Sequence, residues 1–245
     1  DAFPSSFALM MLAMVYCVLM ISMLGYDLLF QDVDIVWHRN PLEYFHDENS
    51  PHQNYDMYFQ DDGNHALFYA PYSANTGFYY IRNNAKTQHF FNTFLMSGDL
   101  IYSTRSHQVP LVALLTEHAS MYGIKVKIFA RTENDFPGGH AYHRRKDFMK
   151  DMIAGKENPY IFHMSWTHNK SNKMKYFQQL GEWRVQESCV AKTPTEIKPD
   201  FVSGDSLIST CCAAEPIIQC HYRDKPSKIP CKDSPPIDKG HRSFW

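Results

Sequence analysis

The sequence predicts an α/β domain with a largely parallel sheet flanked by helices, followed by an irregular tail. Up to about residue 187, β-prone apolar runs alternate with segments of helical pattern, which is typical of parallel sheets. The 245 residues, 44% of them hydrophobic, also suffice to bury a sizeable core. We therefore expect a ligand crevice at the carboxyl ends of the strands.

The first element is an apolar helix. No charged residue occurs between Phe7 and Tyr26, and a run of this length could cross a bilayer. The alternative is a helix buried on all sides. Gly25 suits the position that ends a helix, and the run leads without a linker into an acidic strand, which favours the buried helix over a membrane span.

The second element, residues 28–37, is a β-prone apolar run that contains Asp32 and Asp34. Side chains two residues apart in an extended segment project to the same side, so the two carboxylates can reach one point. That arrangement suits a divalent cation such as Mg²⁺ or Mn²⁺, which binds oxygen ligands and substrate phosphates. A solvated turn is the alternative, but burying unpaired carboxylates in an apolar run is costly, which favours the cation site.

The remaining elements alternate in type. After a break at Pro41, the pattern predicts strands near residues 56–60, 78–81, 124–129 and 160–166, and helices near residues 85–96, 106–121 and 144–154. A turn at residues 61–64 contains Asp61 and Asp62, which are candidates for sugar-hydroxyl or acceptor contacts or are simply turn residues. A second turn ends at Gly77, which permits close approach of a ligand or strand.

From Glu187 onward, prolines and cysteines become frequent and periodicity is lost. Five of the six cysteines lie in this tail: Cys189, Cys211, Cys212, Cys220 and Cys231. Their spacing fits no zinc pattern, so disulfides formed in an oxidising compartment are the simpler prediction. Because five is odd, we expect a free or externally paired thiol.

Composition argues against several classes of function. A net charge of -2 and a pI near 6.7 give no basic field, so nucleic acid is not an expected partner. The 13 histidines are scattered and form no His-Glu-x-x-His pair, which argues against a zinc hydrolase. Serine-hydrolase, P-loop and dinucleotide fingerprints are also missing.

Several segments together match one known pattern. They are Leu24–Tyr26, Asp32–Trp37, Pro41, Asn75–Tyr80, Gln108, Lys125–Phe129, Pro159–His163, Lys173 and Trp183. Through them the chain resembles the nucleotide-diphospho-sugar transferases of the glycosyltransferase family 77 type, relatives of family 8 with the GT-A fold. The resemblance covers roughly residues 7–187 and implies a GT-A-like, Rossmann-type domain over residues 1–187, and the change in composition assigns residues 188–245 to a Cys/Pro-rich tail. Asp1 is not a methionine, so we expect a processed or truncated product that starts after the strand and loop that help to grip the nucleotide base.

The resemblance implies roles for five of these residues. Asp32, Asp34 and His163 would hold Mn²⁺ or Mg²⁺, which bridges the diphosphate of a UDP-sugar. Asp32 and Asp34 would thereby also be donor-binding residues. Asn75 and Gly77 match an Asn-x-Gly segment that lines the donor-sugar pocket in related enzymes, although a simple strand-entry turn would explain them equally well.

Three further residues are assigned by the same resemblance. Gln108 matches a glutamine near the anomeric carbon and is the candidate catalytic residue, in a positioning role. Lys173 occupies the position of a diphosphate-binding lysine, and Lys170 is a second candidate. Lys170 also lies within the glycosylation sequon Asn169-Lys170-Ser171. His107 stands where the family usually has aspartate.

The implied function is metal-dependent transfer of a sugar from a UDP-sugar to a hydroxyl of a glycan or glycoprotein, with retention of anomeric configuration. The alternative is a catalytically inactive glycan- or nucleotide-binding module of the same fold, which His107 and the missing upstream segment favour. A disulfide-prone tail fits the Golgi lumen, in a type II membrane protein whose anchor lies upstream.

Overall fold

A computed structural model describes residues 6–49, 51–165, 167, 170–190, 211–219, 221–222 and 225–226. The chain divides into two compact units. The first unit comprises residues 1–141 and 158–165, and the second comprises residues 142–157 and 166–245. The predicted division at residue 187 is a different boundary and stays a prediction.

The first unit contains most of the regular structure that the described residues form. Its elements are α1 (Ser6–Met23), β1 (Leu28–Gln31), β2 (Ile35–Trp37), α2 (Leu42–Phe45), β3 (Met57–Asp61), β4 (Ala74–Ile81), α3 (Ala85–Met96), α4 (Gly98–Thr104), α5 (Gln108–Tyr122), β5 (Val126–Ile128) and β6 (Ile161–His163), with short 3₁₀ turns at Pro51–Asn54 and Leu67–Tyr69. A further helix, α6 (Gly139–Arg144), contains the boundary between the units.

The central sheet has four strands in the order β1-β4-β3-β5. β3 pairs parallel with β5, whereas β4 pairs antiparallel with both β1 and β3. Three of the four strands therefore run in one direction and β4 runs in the other. This mixed α/β sheet with flanking helices confirms the predicted fold class and is consistent with a GT-A-like fold.

Residues 28–37 form two strands rather than the single predicted one. β1 belongs to the central sheet, whereas β2 pairs antiparallel with β6 in a separate two-stranded sheet. Residues 32–34 make the turn between them, and Val33 is fully exposed. The strand breaks there because each half finds its hydrogen-bonding partner in a different sheet.

Alternation along β3 and β4 gives the sheet two apolar faces. Met57 and Phe59 contribute to a core shared with α1, α3 and α5. Tyr58 contributes to a second, mainly aromatic core with Phe136 and Tyr160. The second core lies on the face where β2 and β6 pack, and it therefore supports the strands on either side of the acidic turn.

Helix α1 packs one face against α3 and α4 and exposes the other. Its buried residues include Val15, Val18 and Leu19, whereas Phe7 and Tyr16 are about half exposed. The predicted burial on all sides is therefore wrong, because only one face of the helix packs against other elements in the described part of the chain. α1 is also long and apolar enough to cross a membrane, a property that core helices share.

The second unit contains α7 (Lys146–Ile153), α8 (Lys170–Leu180), α9 (Glu187–Val190) and the short strands β7 (His221–Tyr222) and β8 (Lys225–Pro226). A disulfide joins Cys189 to Cys211, which confirms the prediction of disulfides in the tail. Cys212 is free and exposed. Cys220 and Cys231 lie outside the described residues.

Candidate metal centre and donor pocket

The acidic turn lies beside a residue that is far away in sequence. β2 begins directly after Asp34, and its first residue, Ile35, is the register partner of His163 in β6. The antiparallel pairing of β2 with β6 therefore brings the last residue of β6 next to the turn. Sequence alone does not contain this register, because the two strands are more than a hundred residues apart.

Asp32, Asp34 and His163 can each offer one ligand atom such that all three atoms lie within 4.8 Å of one another. The Oδ1 atom of Asp34 is 3.7 Å from Nε2 of His163. His163 is buried, and the two aspartates are half-buried. Two carboxylate oxygens and one imidazole nitrogen form a donor set that fits Mn²⁺ or Mg²⁺, so the predicted ligands and the predicted ion are compatible.

Gly77 lies directly beneath the carboxylate of Asp32. A Cβ atom at residue 77 would be 2.5 Å from Oδ2 of Asp32 and 2.9 Å from Oδ1 of Asn75. The backbone N–H of Asp32 donates to the carbonyl of Gly77 at 2.7 Å, and the N–H of Gly77 donates to Asn75 Oδ1 at 2.7 Å. The close approach predicted for this glycine is therefore made by a candidate metal ligand of the same chain.

Asn75 precedes Thr76 in β4, and Gln108 is hydrogen-bonded to Thr76. Asn75 Nδ2 donates to Asp62 Oδ1 at 2.9 Å, and the backbone N–H of Thr76 donates to Gln108 Oε1 at 3.1 Å. The Thr76 hydroxyl also donates to Gln108 Oε1, at 3.3 Å. Burial and the nearby Asp62 raise the pKa of Tyr69, so that phenol stays protonated. These polar groups thus lie around the first residues of β4, where Gly77 contacts the candidate metal ligand Asp32.

The two acids after β3 differ in their surroundings. Asp61 accepts hydrogen bonds from the backbone of Gly63 and contacts His65 and Arg131, whose Nε is 3.3 Å from Oδ2. The Asp61 carboxylate therefore stabilises the turn, which is one of the two roles predicted for it. Asp62 instead accepts a hydrogen bond from Asn75. The sequence does not distinguish the roles of Asp61 and Asp62.

His107 precedes α5, next to Gln108. Both of its ring nitrogens are buried without a hydrogen-bond partner among the described residues. Burial lowers the pKa of His107 to about 4, so the ring is neutral at physiological pH. The residue that departs from the family pattern thus adds no charge beside the pocket.

The two candidate lysines belong to the second unit. Lys170 begins α8 and Lys173 follows one turn later. The side chain of Lys170 and the residue Asn169 of the sequon lie outside the described part of the chain. The contact of either lysine with a diphosphate stays a prediction.

The sequence patterns did not single out Gln60 or Tyr69 as residues of the site. Gln60 is completely buried, and its Oε1 atom is 2.6 Å from Nδ1 of His163. The sequence did contain a signal for Gln60, because this polar residue ends an apolar β-prone run directly before Asp61 and Asp62. Tyr69 gave no signal, because it lies in a short 3₁₀ turn between the predicted strands.

A comparison with family models decides the family. Residues 5–177 match the model of the nucleotide-diphospho-sugar transferases, and this range includes every candidate site residue named above. The chain belongs to the nucleotide-diphospho-sugar transferase family. The resemblance stated from the motifs is thereby confirmed.

Two curated relatives of this transferase domain are similar over comparable ranges. A UDP-galactose:fucoside alpha-3-galactosyltransferase of Dictyostelium discoideum is 25% identical over 183 residues, which is 66% of this chain and 26% of the relative. A UDP-D-xylose:L-fucose alpha-1,3-D-xylosyltransferase of Arabidopsis thaliana is 24% identical over 181 residues, 67% of this chain and 44% of the relative. The chain thus spans less than half of either relative. No solved structure matches significantly.

Proposed function

We propose that this chain carries the catalytic centre of a metal-dependent glycosyltransferase. It would transfer a sugar from a UDP-sugar to a hydroxyl of a glycan or glycoprotein, with retention at the anomeric carbon. The observation that supports this proposal most strongly is the convergence of Asp32, Asp34 and His163 on one point in a member of the nucleotide-diphospho-sugar transferase family. The names of the relatives support UDP as the nucleotide and make fucosides the first acceptors to test.

Asp32, Asp34 and His163 would hold Mn²⁺ or Mg²⁺ next to the pocket. When bound, the ion would neutralise the charge that develops on the departing diphosphate. Because Gly77 has no side chain, the Asp32 carboxylate packs directly against the backbone of β4. Lys170 and Lys173 remain our candidates for a further contact with the diphosphate.

The sugar would occupy the space beside the polar side chains of Asn75, Asp62 and Gln108. The backbone N–H and the hydroxyl of Thr76 both donate to the amide oxygen of Gln108, so the orientation of the amide is fixed before a substrate arrives. We therefore assign Gln108 a positioning role near the anomeric carbon and assign no nucleophile. Asp62 and Asn75, which are hydrogen-bonded to each other, would also form hydrogen bonds with sugar hydroxyls.

We further propose that the enzyme acts in the Golgi lumen, with a type II membrane anchor upstream of this domain. The Cys189–Cys211 disulfide supports an oxidising compartment. The half-exposed apolar helix α1 is compatible with a position close to a membrane but is weak support by itself.

Calorimetry with Mn²⁺ and UDP tests the site, and turnover of UDP-sugars with a fucoside acceptor tests the activity. We expect the wild-type protein to bind UDP only with Mn²⁺, and Asp34→Asn and His163→Ala to lose both the binding and the turnover. Asp99→Asn changes an exposed carboxylate in α4 and is the matched control. Full activity in either ligand variant would refute the metal site.

The second candidate is a binding module of the same fold without turnover. His107 favours it, because a neutral, buried imidazole replaces the carboxylate usual in the family. The same calorimetry separates the two candidates. Metal-dependent UDP affinity together with turnover supports the enzyme, whereas glycan binding without metal-dependent nucleotide affinity supports the module.

A further inference from the structure

Gln60 lies within β3 at a point where the pairing of β3 with β4 is irregular. The register shifts between Phe59 and Gln60, so that Gln60 pairs with Asn75. An irregularity of this kind redirects a side chain, and such features are frequent near active sites. Here the side chain is completely buried and extends from the carbonyl of Pro137 to the ring of His163.

The contact with Pro137 fixes the orientation of the Gln60 amide. Nε2 of Gln60 donates to the Pro137 carbonyl at 2.7 Å. The reversed amide would place two carbonyl oxygens at that distance, and neither could donate a hydrogen. Oε1 of Gln60 therefore faces His163.

The glycine after Pro137 permits this arrangement. A Cβ atom at Gly138 would be 2.5 Å from the Asp61 carbonyl and 3.4 Å from Cγ of Gln60. Any larger residue would move the loop away from β3. The Pro137 carbonyl can therefore reach the Gln60 amide only because residue 138 has no side chain.

The orientation of the amide in turn determines which nitrogen of His163 carries hydrogen. Oε1 of Gln60 is an acceptor 2.6 Å from Nδ1, so Nδ1 must be the donor. A neutral imidazole protonated at Nδ1 has its lone pair on Nε2, the atom that lies 3.7 Å from Asp34 Oδ1. The other tautomer would place the Nδ1 lone pair against a carbonyl oxygen.

We infer that Gln60 is a positioning residue that holds His163 as an Nε2 metal ligand, with the Pro137 carbonyl as its anchor. This inference rests on the proposed metal site. Metal-binding histidines depend on a partner of the other ring nitrogen for their orientation and tautomer. In this chain that partner is a neutral amide, which fixes the tautomer without adding a charge to the site.

The first test is nitrogen NMR of the metal-free, ¹⁵N-histidine-labelled protein at mildly alkaline pH, where an ordinary imidazole is neutral. A His163→Asn variant assigns the His163 signals among the 13 histidines. We expect hydrogen on Nδ1 in the wild-type protein and in Gln60→Glu, which keeps the acceptor. We expect Gln60→Met, which removes it, to shift the population towards hydrogen on Nε2.

The second test is Mn²⁺ affinity measured by calorimetry on the same proteins. Gln60→Met should weaken binding about 10- to 100-fold, the usual effect of losing such a partner. Gln60→Glu should bind Mn²⁺ more tightly than Gln60→Met does. Gln53 is another glutamine whose side chain donates hydrogen bonds to backbone carbonyls, those of Phe45 and Asp47. The control variant Gln53→Met should leave Mn²⁺ affinity unchanged.

Three results would overturn the inference, and they can be told apart. Hydrogen on Nε2 in the wild-type protein, or unchanged Mn²⁺ affinity in Gln60→Met, would refute the role of Gln60 while leaving the metal site intact. A wild-type protein that binds no Mn²⁺ would refute the proposed metal site, and with it the ligand role of His163.

Discussion

At the scale of single residues, Gly77 is a tightly constrained position of the site. The sequence motif Asn75-Thr76-Gly77 predicts a sugar pocket or a turn, and neither prediction concerns Asp32. The structure adds that the carboxylate of Asp32 occupies the space where any other residue would place a Cβ atom. Gly77 is therefore required by a side chain of the same protein, whatever the substrate contributes.

Gly77→Ala should displace Asp32 from the candidate metal centre. The added methyl group would lie 2.5 Å from Oδ2, so the carboxylate must rotate away. We expect Mn²⁺ affinity, measured by calorimetry, to fall by about tenfold or more, as for other changes that misorient a metal ligand. UDP-sugar turnover should fall with it.

Gly98→Ala is the control for that experiment. Gly98 is the first residue of α4, and an added Cβ atom would meet only the end of the Leu12 side chain, at 3.2 Å. This variant should keep wild-type Mn²⁺ affinity. Equal affinity in Gly77→Ala and Gly98→Ala would show that Asp32 tolerates a methyl group beneath it.

At the scale of secondary-structure elements, two interruptions of β-strands determine the geometry of the site. The pattern of residues 28–37 correctly predicts β structure and two convergent carboxylates, but not the turn that places β1 and β2 in different sheets. The irregularity in β3 that directs Gln60 was also unpredicted. Both depend on hydrogen bonds to distant strands, which a local pattern of apolar residues does not specify.

Helix α5 begins next to a buried, neutral histidine, which makes stability depend on pH. The pKa of His107 is lowered from 6.5 to about 4 in the folded protein. The unfolded chain therefore binds a proton below pH 6.5 that the folded protein does not bind until about pH 4. The folded state thus loses stability as the pH falls through this interval.

The variant His107→Asn should lose less stability on acidification, because asparagine does not titrate. We expect the free energy of unfolding of the wild-type protein to fall by on the order of 3 kcal/mol more than that of the variant between neutral pH and the folded-state pKa. Urea unfolding at the two pH values measures this difference. Equal decreases in both proteins would contradict the burial of a neutral ring.

At the scale of the whole molecule, the disulfide of the second unit closes a long segment of chain. Cys189 and Cys211 are 22 residues apart, and a loop of this length restricts the unfolded chain. In the chain-entropy description such a bridge contributes about 3 kcal/mol to stability. The bridge therefore contributes to stability in a part of the chain whose sequence has no periodic apolar pattern.

Replacing both bridged cysteines by alanine should lower the free energy of unfolding by about 3 kcal/mol, measured with urea under non-reducing conditions. Cys17→Ala is the control, since Cys17 is a free, exposed thiol in α1 and its loss should change little. A double variant as stable as the wild-type protein would show that the bridge does not restrict the unfolded chain appreciably.

The sequence by itself determined the fold class and the family, and it predicted the chemical groups of the site. Alternating strand and helix patterns predicted the α/β fold, and the spacing of Asp32 and Asp34 predicted a cation site. The motifs, through the resemblance, added His163, Asn75, Gly77 and Gln108. The fold class and the family are confirmed, because side-chain chemistry and local periodicity are properties of short segments, whereas the roles of the site residues stay predictions.

Only the tertiary structure decided which groups meet. The pairing of β2 with β6 brings His163 to the acidic turn, the shift in β3 brings Gln60 to His163, and the course of β4 places Gly77 under Asp32. Each of these contacts joins residues that are at least 45 positions apart in the chain. Strand register and loop approach set such distances, and they are properties of the folded molecule as a whole.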